Sequence, residues 1–109
     1  MKHQLDGVRL TERRMQAARI LHGILPTHSP TSAWLHIKNG QFVSGETDGG
    51  FVLALMSNSS ENEIVIRHMD PDSRTTRRRV LDNIELDAIV EAFLTEAKCL
   101  LESTSPRGT

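Results

Sequence analysis

The dipeptide Asn39-Gly40, set between two short runs of alternating polarity, constrains the fold of this chain more than any other feature. Both central residues of a type I′ turn take positive φ, which asparagine and glycine tolerate best, so the dipeptide predicts a β-hairpin with a two-residue loop. Such a loop pairs Lys38 with Gln41 and so determines which side chains share a face. The core-directed face carries Ala33, Leu35, Ile37 and Phe42. The opposite, amphipathic face carries Trp34, His36, Lys38, Gln41 and Val43.

Two further strands, at residues 51–56 and 63–69, are predicted to form a second hairpin. The first of them is apolar on both faces, which is typical of a central strand covered on both sides by helices or by a partner chain. The second alternates less cleanly. One of its faces carries Ile64 and Ile66, and the other carries Val65, Arg67 and Met69.

A helix is predicted before the strands, at residues 12–25. Its apolar side chains recur at helical spacing, Thr11 is a candidate N-cap, and Pro26 ends the pattern. Residues 1–10 are interpreted as a loose arm.

A second helix is predicted to close the chain, opening on a capping box formed by Asp82 and Glu85. Its apolar arc contains Leu86, Ile89, Val90, Phe93, Leu94, Ala97, Leu100 and Leu101. Phe93 lies in the middle of this arc and should face the sheet. Residues 103–109 are interpreted as a flexible tail. The predicted fold class is α+β, a single domain over residues 1–109: an N-terminal helix, an antiparallel sheet of four to five strands built from two hairpins, and a C-terminal amphipathic helix packed on the sheet.

Composition narrows the functional classes. The formal net charge of the 109 residues is −1, which gives no global argument for binding nucleic acid or a membrane. Cys99 is the single cysteine, so no internal disulfide can form, and a reducing compartment is expected. No apolar run is long enough for a spanning helix or a signal core, and a cytoplasmic location is therefore expected.

No motif for catalysis, metal or cofactor binding stands out. The histidines lack the spacing of a zinc site and have no cysteine partner; they are His3, His22, His28, His36 and His68. His36 and His68 lie on predicted strands and could be neighbours. The segment after Met69 begins like a calcium loop, but Thr75 replaces the required glycine and Leu81 the required glutamate. We therefore predict no metal, no cofactor and no enzymatic activity.

The sharpest charge feature is a cluster formed by Arg74, Arg77, Arg78 and Arg79. Residues 75–81 alternate in polarity, and they fit a fifth strand and a mobile basic loop equally well. With Arg67, the cluster could form a nucleic-acid groove, an arrangement similar to small single-stranded DNA-binding domains of the transcriptional-coactivator type. The available stacking aromatics are Trp34, Phe42 and Phe51. The alternative is that the arginines balance the acidic closing helix.

The second half of the chain resembles the C-terminal part of small type III secretion chaperones. The similarity lies in the glycine-led strand GGFVLALM, the strand EIVIRHM and the closing helix LDNIELDAIVEAFLTEAKCLLE. Those chaperones carry a dimerisation helix between two sets of strands, and no such helix is predicted here. The resemblance implies a homodimer that binds an unfolded segment of a secreted protein through hydrophobic patches and strand addition.

The function predicted from these observations is a noncatalytic protein-binding domain, chaperone-like and dimeric. The predicted partner-binding residues are Trp34, Val43, Val52, Met56, Arg67 and Met69. A dimer is expected to bury part of the sheet or a seam of small residues on the closing helix, formed by Ala88, Ala92 and Cys99. The competing prediction is the nucleic-acid groove, with Arg67, Arg74, Arg77, Arg78 and Arg79 as its basic residues. A small toxin-neutralising or phage-encoded inhibitor is a third class, which fits the size and the lack of catalytic residues but has no positive signal in the sequence.

Overall fold

The structure is a computed structural model that describes residues 7–38, 40–43, 51–58, 60–70 and 75–104. Two helices and five strands follow one another as α1 (Gly7–Ile24), β1 (Trp34–Lys38), β2 (Gln41–Val43), β3 (Phe51–Asn58), β4 (Glu63–Asp70), β5 (Thr75–Val80) and α2 (Leu86–Thr104). This confirms the predicted α+β class, with a helix on each side of the strands in sequence.

The five strands form one antiparallel sheet in the order β2-β1-β3-β4-β5. The first hairpin has the predicted register, since Lys38 pairs with Gln41 and Ile37 pairs with Phe42. Gly40 has a φ of 73°, the left-handed conformation that a two-residue primed turn requires. β3 is the central strand, between β1 and β4, as its apolar composition predicts.

Residues 75–80 form a strand, which decides between the two alternatives left open by the sequence. β5 pairs with β4 along its whole length, from Val80 opposite Val65 to Thr75 opposite Asp70. All six of its residues are exposed, because β5 lies at the edge of the sheet and has one neighbouring strand. Because successive side chains of a strand point to opposite faces, the consecutive arginines of β5 alternate between the two faces of the sheet.

Both helices lie against the same face of the sheet. The core joins their apolar stripes to the side chains that alternate along the three middle strands. The sheet contributes Ala33, Leu35, Ile37, Leu53, Leu55, Ile64 and Ile66. The helices contribute Leu10, Ala17, Ala18, Leu21, Ile89, Phe93, Ala97 and Leu100. Phe93 is fully buried in this core, which confirms the predicted packing of the closing helix on the sheet.

The first helix begins earlier than predicted. α1 starts at Gly7, so residues 7–10 of the predicted loose arm are helical, while residues 1–6 lie outside the described part of the chain. Leu10 is fully buried because it extends the stripe formed by Ala17 and Leu21 by two helical turns. Burial of Leu10 therefore favours a helix that begins at Gly7 over one that begins at an N-cap at Thr11.

The closing helix also differs at its two ends. The backbone N–H of Glu85 donates to Asn83 Oδ1 at 2.9 Å. In the predicted capping box the same N–H would donate to the side chain of Asp82. α2 continues to Thr104 and so includes the first two residues of the predicted tail; residues 105–109 lie outside the described part. In the described part of the chain, no helix combines the length and apolar character needed to cross a membrane.

Candidate functional site on the open face of the sheet

The sheet has one face against the helices and one face, here called the open face, on which neither helix packs. Side chains alternate along each strand, so the residues between the core positions belong to the open face. From β1 to β5 their strand positions include Trp34, His36, Val52, Ala54, Met56, Val65, Arg67, Met69, Arg78 and Val80. β3 is thus covered on one side by the helices and left uncovered by them on the other.

The structure places all six predicted partner-binding residues at positions on the open face. Trp34 lies opposite Ala54, which in turn lies opposite Arg67. In the next row, His36 lies between Val43 and Val52, and Val52 lies opposite Met69. Met56 lies opposite Val65. Val43 and Val52 are described by strand position alone, since their side chains lie outside the described part of the structure.

Large apolar side chains are exposed on this face. Met56 is 38% exposed, Met69 is 41% exposed and Val80 is 45% exposed. Between Met56 and Val80 lies Val65, which is buried, so one row of apolar side chains crosses β3, β4 and β5. A contiguous apolar patch rimmed by polar residues marks a binding surface more often than isolated exposed apolar residues do.

At the β1 side of the open face, Trp34 belongs to a cluster with two histidines. His28 stacks on Trp34 with the ring centroids 4.1 Å apart, and His36 meets both rings edge-on at 5.3 and 5.4 Å. The backbone N–H of His28 donates to the Trp34 carbonyl oxygen at 3.1 Å, which holds the loop residue beside the strand. Sequence reasoning missed His28, because it lies in a loop whose path the local pattern does not predict.

The suggested proximity of His36 and His68 is wrong. His36 pairs with Val52, whereas His68 pairs with Leu53, the next residue of β3. Because adjacent residues of a strand point to opposite faces, the two histidines lie on opposite sides of the sheet. Within the described ranges, no three residues of the His, Cys, Asp and Glu types are grouped so as to hold a metal ion.

The arginines predicted to form one basic groove are divided between the two faces. Arg67 and Arg78 lie directly opposite each other on the open face. Arg77 and Arg79 have the opposite orientation, because they pair with His68 and Ile66. Arg74 lies outside the described residues.

Two of these arginines form ion pairs within the chain. Arg78 Nη2 lies 2.6 Å from Glu63 Oε1, and Arg79 Nη1 lies 2.9 Å from Glu96 Oε1 on α2. The second pair is the kind of contact expected if the arginines balance the acidic closing helix. Arg67 Nη1 makes a weaker contact, with Met56 Sδ at 3.7 Å.

A shallow groove of about 360 Å³ runs across the open face between β3, β4 and β5. It is lined by Met56, Ser57, Asn58, Val65, Arg67 and Arg78. Apolar atoms of Met56 and Val65 thus lie beside two guanidinium groups, and such a groove can accept an apolar side chain together with an anionic group.

The seam of small residues predicted on α2 is only partly assembled. Ala88 and Ala92 line a groove of about 350 Å³ between β5 and α2, together with Arg79 and Glu91. Cys99 is exposed and does not line that groove. The open face therefore presents the more continuous apolar surface of the two candidate dimer surfaces.

Comparison of the chain with models of protein families, with curated proteins and with solved structures found no match.

Proposed function

We propose that this chain is a noncatalytic protein-binding domain whose open face binds a partner polypeptide. The observation that carries the proposal is the exposure of Met56, Met69 and Val80 on a sheet face that neither helix covers. Removing apolar surface from water is the dominant favourable contribution to most protein–protein association. The partner is expected to cover the row formed by Met56, Val65 and Val80, with Trp34 and Arg67 at its margin.

The chemistry of the face suits a polypeptide better than a small molecule. The groove is shallow, extends across three strands and is open to solvent, whereas a small-molecule site is usually an enclosed cavity. Methionine is flexible and polarizable, so Met56 and Met69 can adapt to side chains of different shapes. A face of this kind is consistent with a chaperone-like adaptor that binds an extended segment in the cytoplasm.

A second copy of the chain is one partner that the same face can accept. β3 is apolar on both faces, and neither helix covers the second one. An isologous dimer would place the open face of one protomer against that of the other. The homodimer is thus part of the same proposal, and it competes with other partners for the same surface.

Site-specific photo-crosslinking tests the proposal directly. With benzoylphenylalanine in place of Met56, irradiation in the native host should yield a crosslinked product of discrete mass. The mass distinguishes a second copy from another polypeptide. The matched control carries the same amino acid in place of Val8, which is 70% exposed on α1 and away from the sheet.

Position 8 should give no discrete product. Equal crosslinking from the two positions, or none from position 56, would contradict a binding role for the open face. If the product is a dimer, light scattering of the purified protein at tens of micromolar should also show twice the monomer mass.

Single-stranded nucleic acid is the second candidate ligand, because Trp34, Arg67 and Arg78 share the open face. Two observations count against it. The indole ring of Trp34 is already stacked on His28, and Arg79 is paired with Glu96 on the other side of the sheet. Nucleic-acid binding of this kind needs a continuous basic track with free aromatic faces.

We therefore expect no binding of a labelled single-stranded oligonucleotide in fluorescence anisotropy, even at low salt. The comparison is with a variant in which Arg74, Arg77, Arg78 and Arg79 are all changed to Ser. Tight wild-type binding that the variant loses, with a log–log salt slope of about −0.7 for each phosphate contact, would establish the nucleic-acid function instead.

A further inference from the structure

The arrangement of Arg67 and Arg78 is unfavourable for the isolated sheet. They occupy directly opposed positions on β4 and β5. Like charges at such positions destabilise a pair of strands. Glu63 lies 2.6 Å from Arg78, but no described carboxylate lies within ion-pair distance of Arg67. Its hydrogen bond to Met56 Sδ uses a weak acceptor. Two guanidinium groups thus line the groove, and Glu63 pairs with one of them.

The apolar part of the groove lies beside these charges. Val65 forms its buried floor and Met56 its partly exposed wall. Val80 continues the same row at the edge of the sheet, opposite Val65. A large apolar side chain laid on this row would therefore have a guanidinium group as its immediate neighbour.

We propose that the groove formed by Met56, Val65, Arg67 and Arg78 binds a segment of another protein in which a large apolar side chain stands beside an Asp or Glu. This inference rests on the proposed function and specifies the chemistry of the partner. The apolar side chain lies on Met56 and Val65. The carboxylate accepts hydrogen bonds from Arg67, whose planar guanidinium matches a carboxylate in two-point geometry. Charge complementarity thus selects an acidic partner segment over a neutral or basic one.

Selection from a library of short random peptides displayed on phage tests the inference with the whole chain as bait. The enriched peptides should carry an Asp or Glu next to, or one residue removed from, a large apolar residue. A labelled synthetic peptide with the enriched sequence should then lose about tenfold in affinity when its acids are changed to amides, the effect of losing one charge-assisted hydrogen bond.

The matching change in the protein is the double variant Arg67→Gln/Arg78→Gln, which should lower the affinity for the acidic peptide by a similar factor. The control is Arg77→Gln/Arg79→Gln, which removes the same charge from the opposite face of the sheet and should retain the affinity. Circular dichroism and the thermal midpoint report whether each variant folds. The acidic peptide should also bind the wild type more weakly as salt is raised, since exposed ion pairs are screened.

Four results would overturn this inference. Enriched peptides whose binding depends on Met56 but which contain no Asp or Glu would overturn the inference and leave the proposed function intact. Enrichment of peptides matching this chain's own sequence would assign the groove to a second copy. Binding of a labelled single-stranded oligonucleotide that Arg67→Gln/Arg78→Gln abolishes would assign it to nucleic acid. Absence of any enrichment would also reject it, and crosslinking from position 56 then decides the proposed function independently.

Discussion

Phe93→Ala is expected to lower the free energy of unfolding by about 3–5 kcal/mol, the usual cost of truncating a buried phenylalanine. The ring is fully buried at the middle of α2, in the core that both helices share with the sheet. Truncation removes its apolar contacts and leaves a cavity between α2 and the strands. Equilibrium unfolding in urea measures the loss as a lower midpoint at an unchanged slope.

A conservative change at the same position separates the cavity from other causes. Phe93→Leu should cost less than about 1.5–2 kcal/mol, because it keeps most of the apolar volume. Ile24→Ala at the exposed end of α1 should stay within about 0.5 kcal/mol. An unchanged urea midpoint for Phe93→Ala would reject the packing of α2 on the sheet.

The sheet was predictable because its local signals agree with one another. Asn39-Gly40 determines the register of the first hairpin, and alternation along β1 and β4 then assigns each side chain to a face. The apolar character of both faces of β3 predicts its central place. Each of these signals depends on neighbours in sequence or directly across a strand pair.

The ends of the helices were less predictable, because they depend on tertiary packing. Thr11 has the sequence features of an N-cap, but Leu10 is buried in the core and α1 begins at Gly7, before both residues. At α2, Asn83 supplies the hydrogen bond expected of Asp82. A capping signal contributes about 1 kcal/mol, and burial of one leucine exceeds it.

Strand alternation predicts that most of the candidate residues share a face, but the full arrangement of that face was not predictable. All six residues predicted to bind a partner lie at open-face positions, because strand alternation and register put them there. The division of the arginines follows from alternation too, but only once residues 75–80 are known to be a strand. The contact of His28 with Trp34 had no signal in the sequence, since it depends on how a loop folds back on β1.

Leu10→Ala is expected to lower the free energy of unfolding by about 2–5 kcal/mol, the range for a leucine in a closed core. If Leu10 lay in a loose arm, truncating it would hardly change the free energy of unfolding, so this variant tests the early start of α1. The adjoining turn is held in place independently. Arg13 Nη1 donates to the Ile84 carbonyl oxygen at 2.7 Å, and Arg14 Nε donates to Ser57 Oγ at 3.1 Å.

The matched control is Val8→Ala, two residues earlier on the exposed side of α1, which should change stability by no more than about 0.5 kcal/mol. Because the two variants truncate neighbouring residues of the same helix, differences in helix propensity between them are small beside the cavity at Leu10. Urea unfolding of both variants, with the same slope as the wild type, gives the comparison. Equal stabilities for Leu10→Ala and Val8→Ala would mean that the first turns of α1 are not part of the core, and the helix would then begin near Thr11, where its N-cap signal lies.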